Sequence, residues 1–270
     1  MALGLLYDPL LALARHLTPR PSLEYWLLLA AVLLAHVLVL RAVERRPLAD
    51  VGLGRSAARP GLLAAGALLG AAAVGVPSAL LLAGGELRAV AAPAGSWAAA
   101  AGALAVALAP AALWEELLVR GYPLVVLVES LGAPLALVLT SVVFGVLHLN
   151  NPNASLASAA VVTLAGVFLG AIRLATGSLW AAFAAHLAWN WTLAAGFHAA
   201  VSGLPFAAPG YRVVDAGPDW LTGGAWGPEG GAAAVAGMLG GLALLWRWAP
   251  RGAAHTFQLF GGFGRRTSET

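Results

Sequence analysis

The chain has 270 residues, 60% of them hydrophobic and 10% charged, against about 25% charged in soluble domains. With a mean hydropathy of +0.84, that balance excludes an ordinary soluble domain and indicates a polytopic membrane protein. The formal charge is +3 and every cation is arginine; cysteine is absent, which removes disulfides and thiolate metal sites. The arginines sit in loops beside apolar runs, the pattern of orientation signals rather than of a nucleic-acid surface.

In chain order, residues 1–18 are interrupted by Asp8-Pro9, lack a signal-peptide cleavage site, and are expected to lie on the membrane surface as a short amphipathic segment. Spans are predicted at Leu23–Leu40, Gly61–Ala83, Trp97–Val128, Ala133–Leu149, Ala154–Leu174, Ser178–Val201 and Ala232–Trp248. Pro110 and Pro123 should kink the third span, and a full break there would make eight. The expected fold is all-α: one integral membrane domain over residues 1–270, a bundle of seven to eight transmembrane helices around a polar intramembrane cavity. Arg41, Arg45, Arg46, Arg55 and Arg59 put the loop after the first span in the cytoplasm, and Arg247, Arg251, Arg265 and Arg266 put the tail there too. The Gly-, Pro- and Trp-rich loop Ser202–Gly231 then lies outside; it is long enough to act as a lid, and its Gly223–Gly231 stretch reads as plain loop.

Three polar groups interrupt these spans. An ionisable side chain at the centre of a membrane helix costs about 2.5–3.5 kcal/mol, so each is a functional-site candidate. The first is Glu115-Glu116 with Arg120. Glu116 and Arg120 stand four apart on a helix and can pair, with the acid on the favourable N-terminal side. Glu115 is turned about 100° away and lacks a local partner. A carboxylate in that position suits a general base, with Glu116 and Arg120 as its support.

The second group is Phe144 and His148, one turn apart, with Gly145 between them allowing another helix to approach closely. The following Asn150-Asn151-Pro152-Asn153 breaks the helix at what would be a cavity mouth. A single histidine in an apolar helix is more often a hydrogen-bonded core residue than a ligand. The third group, His186 and Asn190, shares one helix face; taken alone it reads as an interhelical polar contact. His36 and His198 read as structural, although His198 can reach the same cavity, and His16 and His255 fall outside the spans. Thr176-Gly177-Ser178 after Arg173 looks like a helix end followed by an N-cap, and Trp97, Trp180 and Trp248 suit interfacial belts.

In this order EExxxR, FxxxH and HxxxN resemble the CAAX-protease and bacteriocin-processing (CPBP, or Abi) family of intramembrane proteases, over about Trp97 to Val201. The resemblance implies a catalytic core over residues 97–201 in a prokaryotic cell membrane, acting on a hydrophobic peptide or membrane-protein substrate within the lipid bilayer. Eukaryotic relatives remove the last three residues of prenylated CaaX proteins; prokaryotic ones serve peptide processing and bacteriocin self-immunity. Carried over, Glu115 and His148 activate water, His186 and Asn190 stabilise the oxyanion, and Glu116 with Arg120 supports the first motif. His148, His186 and a carboxylate are also a donor set for Zn²⁺, while HExxH is absent. Two other classes stay open: a transporter with buried ionisable residues, which would usually show paired repeats that are not visible here, and a non-proteolytic scaffold or immunity protein.

Overall fold

A computed structural model describes residues 21–206 and 208–248. The surface segment expected at residues 1–18, His16, His255, Arg251, Arg265 and Arg266 lie outside them. The described chain is mostly helical. Its helices are α1 (Pro21–Leu38), α2 (Pro60–Gly84), α3 (Trp97–Arg120), α4 (Tyr122–Leu131), α5 (Ala133–Leu147), α6 (Leu156–Thr176), α7 (Leu179–Trp191), the single turn α8 (Asp219–Thr222) and α9 (Ala232–Trp248).

Five segments are long and apolar enough to cross a membrane: Leu23–Val43, Pro60–Gly84, Trp97–Leu131, Ala133–Asn150 and Leu156–Thr176. Of the other two expected spans, α9 has its predicted bounds but only 17 residues, and α7 is shorter than predicted, with 13 residues before it passes into the wider π turn Thr192–Phe197. The third span breaks at Gly121, where α4 begins with Pro123 in its first turn, a position where the missing N–H of proline costs no helical bond. Pro110, in contrast, is carried inside α3.

The short α7 has a packing cause. Leu179, its first residue, is fully buried against Trp114 and Leu117 of α3 and Leu28 and Leu29 of α1, so the helix starts deep in the bundle. Its N-terminus is held there by Leu179 N–H donating to Gly52 O. Ser178 caps it by accepting from Ala181 N–H while donating to Ala57 O. α2 lies directly against α7: a methyl group on Gly66 or Gly70 would strike the carbonyl of Ala181 or Ala185. Between α5 and α6, Gly145 plays the same part against Thr163 and Ala159.

Not everything is helical. β1 (Leu87–Ala91) pairs antiparallel with β2 (Tyr211–Asp215), Leu87 opposite Asp215. This two-stranded sheet lies inside what the sequence reads as an all-α chain, and it anchors the long loop after α7. At the opposite end, Arg46 bridges Asp50 and Glu129 at 2.9 and 2.8 Å, which ties the arginine-rich connector to α4. The two carboxylates hold its guanidinium even more firmly protonated than usual.

Candidate active site

Helix geometry brings the three motifs to one height. Leu131 and Ala133 flank one tight turn, from which α5 returns along α3, so that Phe144 packs on Arg120 and His148 comes within 4 Å of Glu115. The inset start of α7 does the same for His186.

Glu116 and Arg120 are fully buried and pair at 3.0 Å. Arg120 Nη2–H also donates to Gly166 O of α6 at 3.1 Å, and its guanidinium carbon stands 4.1 Å from the centre of the Phe144 ring. On its other side, Glu116 Oε1 receives the Nδ1–H of His186 at 2.9 Å. His148 is fixed in the same manner: its Nδ1–H donates to Phe144 O at 2.8 Å, because a carbonyl can only accept.

With both Nδ1 atoms committed, each imidazole turns Nε2 towards Glu115. Glu115 Oε2 stands 3.9 Å from His148 Nε2 and 3.8 Å from His186 Nε2, too far for direct hydrogen bonds. One carboxylate oxygen of Glu115 thus has a ring nitrogen of each histidine within 4 Å of it. Glu115 keeps 23% of its side-chain surface exposed, whereas Glu116 keeps none. This division of the two acids matches the one drawn from helix phase.

Two small pockets meet at Phe144 and His148. One, of about 70 Å³, is lined by Trp114, Glu115, Leu118 and Asn151 on the α3 side. The other, of about 30 Å³, is lined by His186, Asn190, Ser202 and Glu229 on the α7 side; that volume holds one or two waters. Asn190 therefore shares a pocket with both histidines, as its spacing from His186 predicts. His198 does not. Its ring stacks on Tyr211 at 4.2 Å and lines a separate cavity with Phe206 and Arg212. His36 is structural: it donates to Val32 O and accepts from Tyr122 N–H across the α3–α4 break.

The donor set also bears on zinc. His148 Nε2, His186 Nε2 and Glu115 are chemically suitable ligands, and both Nδ1 atoms carry the outer hydrogen bonds that metal-bound histidines usually have. Bonds of about 2.0–2.2 Å in a tetrahedral site need donor atoms about 3.4 Å apart. The spacings of 3.8 and 3.9 Å are wider, and no group of three His, Asp or Glu among the described residues meets metal-site spacing. As spaced, these residues do not fit the ion.

One residue here escapes the motif search. Glu229, only 7% exposed, reaches the smaller pocket from the Gly-rich stretch that sequence alone reads as plain loop. Its Oε2 accepts from Trp189 Nε1–H, and its Oε1 accepts from both the N–H and O–H of Ser202. The loop is a roof: Asn151 Nδ2 donates to Ser202 O, and Trp226 packs on Phe144, Val119 and Val162. The available signal was a lone acid in an uncharged glycine-rich stretch ahead of an apolar helix.

Residues 96–192 match the family model described as Rce1-like, type II CAAX prenyl endopeptidase Rce1-like. All seven motif residues, Glu115, Glu116, Arg120, Phe144, His148, His186 and Asn190, fall within the matched segment. No curated protein matches the chain, and no solved structure does.

Proposed function

We propose, for a chain that belongs to the CPBP family through its Rce1-like core at residues 96–192, an intramembrane endopeptidase that cleaves a hydrophobic or membrane-proximal peptide with a water activated by Glu115 and His148. One observation carries this reading: Glu115 Oε2 lies within 4 Å of two histidine Nε2 atoms whose Nδ1 atoms are bonded elsewhere. A water there donates one hydrogen to Glu115 and the other to the neutral Nε2 of His148. Glu115 takes the proton as the water oxygen attacks the peptide carbon, then delivers it to the departing amine. His186 in its imidazolium form donates through Nδ1 to Glu116 and through Nε2 to the developing oxyanion, with the Asn190 amide as second donor. Glu116 neutralises that imidazolium and is itself held by Arg120.

In this arrangement seven helices lie in the bilayer: the five long segments together with α7 and α9, α4 continuing α3. The arginine-rich connector faces the cytoplasm and the roof faces outward.

The test is hydrolysis of a pool of internally quenched hydrophobic peptides by the protein in liposomes. Glu115→Gln keeps size and polarity but cannot accept the proton. The rate should fall by about 10²–10⁴-fold, the usual worth of a positioned acid–base group. Wild-type turnover unchanged by Glu115→Gln would remove Glu115 from the chemistry.

A further inference from the structure

Among the described residues Arg120 and Arg173 are the two buried arginines, and their surroundings differ. Arg120 has an acid, a carbonyl and a ring. Arg173, 3% exposed and in the last turn of α6, has none of these. Among the described residues no carboxylate pairs with it and no carbonyl or hydroxyl accepts from it, and its Nε is sealed off without a partner. The acids of the neighbouring connector, Glu44 and Asp50, are taken by Tyr122 and Arg46.

What surrounds the guanidinium is positive as well. Gly52 sits between it and the start of α7: a Cβ on Gly52 would stand 2.8 Å from Leu179 N, 2.9 Å from the guanidinium carbon and 3.0 Å from Nη2. A helix N-terminus carries partial positive charge and disfavours a cation beside it. The C-terminal end of α6 favours Arg173, but that effect is small beside the cost of burying a charge without a partner. Trp180, the second residue of α7, has a buried indole N–H that also lacks a partner. The exposed Arg55 and Arg59 belong to the connector, which is fastened to this turn where Ala57 O accepts from Ser178 Oγ–H. Donors and positive charge are in excess here, and an acceptor with negative charge is missing.

This end of the bundle lies at the edge of the bilayer. Arg173 is within one turn of the end of the membrane-crossing segment Leu156–Thr176, and tryptophans such as Trp180 gather at that level. Phosphate suits both features: Nη1 and Nη2 can take two of its oxygens side by side, and the α7 dipole adds to the attraction. Basic pockets between helices hold phosphate head groups at this depth. We infer that Arg173 and the N-terminus of α7 form a binding site for a phosphate group at the membrane boundary. Occupancy would tie α6, α7 and the connector at one point, and α7 carries His186 and Asn190. The site stands whether or not the chain hydrolyses peptides.

The experiment uses full-length wild type and Arg173→Met in an uncharged, phosphorus-free detergent. Bound phosphorus is measured first; phosphorus retained by wild type and lost in Arg173→Met would show the site occupied, and equal retention would overturn it. Protein stripped of phosphorus is then titrated with inorganic phosphate, with a short-chain phosphatidylglycerol and with the matching diacylglycerol, and unfolding is read by tryptophan fluorescence. A phosphate-bearing ligand at about 100 times its Kd should raise the wild-type midpoint by at least about 5 °C. Arg173→Met should weaken that binding about tenfold or more, as loss of a charge-assisted hydrogen bond does. A response to the lipid alone assigns the group to a head group; a response to inorganic phosphate as strong assigns it to a free anion. Stripped wild type that neither phosphate form stabilises, an equal response in folded Arg173→Met, or a diacylglycerol as effective as the lipid would each overturn the site. If Arg173→Met does not fold, the wild-type titration against the diacylglycerol control decides.

Discussion

Replacing Arg120 by methionine removes the cation from a pair with no solvent access on either side. Three contacts disappear together: the 3.0 Å bond to Glu116, the 3.1 Å bond to Gly166 O, and the stacking on Phe144 at 4.1 Å. Removing one member of a buried pair costs about 3–5 kcal/mol, chiefly because the other charge is stranded. A single hydrogen bond between membrane helices averages only about 0.6 kcal/mol, so the stranded charge dominates. The His186 contact leaves Glu116 one partner and places the expected loss near the lower bound, about 3 kcal/mol. The pair is itself imperfectly satisfied, since Glu116 Oε2 and Arg120 Nε have no hydrogen-bond partner among the described residues. Glu116→Gln combined with Arg120→Met leaves no fixed charge stranded, because His186 can shed its proton once Glu116 is gone, and should therefore recover most of the loss, ending within about 1–2 kcal/mol of wild type. Reversible unfolding in mixed micelles, read by tryptophan fluorescence, measures both. A single variant within about 1 kcal/mol of wild type, or a double variant no more stable than the single, would refute the stranded-charge argument.

Asn190→Ala should lower kcat by about 10²–10³-fold with little change in KM, as loss of one oxyanion donor does; steady-state kinetics checks it, and a pure KM effect would assign Asn190 to substrate binding. Gly70→Leu places a side chain against the Ala185 carbonyl, next to His186, and should cost about 1–3 kcal/mol by overpacking and reduce turnover along with stability. Gly61→Ala, at a glycine with nothing within 4 Å, is the matched control and should be close to neutral by thermal unfolding. Treatment with a strong chelator should leave hydrolysis within about twofold of its starting rate if, as proposed, Glu115 and His148 activate the water without a metal; a loss reversed by added zinc would move the water onto an ion.

What was legible in the sequence follows from period and spacing. Helix phase alone separates Glu115 from Glu116, and it puts Asn190 on the face of His186; the contacts agree with both. Gly145 announces the close α5–α6 approach because a side chain there has no place to go. Other features depend on contacts distant in sequence. The inset start of α7 is set by Leu179 against Trp114 and by Gly52, which no local pattern foretells, so its helix is shorter than the apolar run Ser178–Val201. The β1–β2 pair needs residues 87–91 to find residues 211–215. Glu229 reaches the pocket only because a roof that lacks any periodic signal folds back onto Trp189 and Ser202. His198, on an apolar run close behind Asn190, looks able to join the cavity, but the left-handed backbone at that residue ends the helix and turns the ring to Tyr211.

The small sheet also fixes an order of assembly. Leu87–Ala91 is made long before its partner Tyr211–Asp215, and closing so large a loop must wait for the intervening helices to settle. Glu229 follows later still along the chain. A nascent chain long enough to contain Glu115, His148 and His186 has therefore yet to supply Glu229, the residue through which the roof grips Trp189 and Ser202.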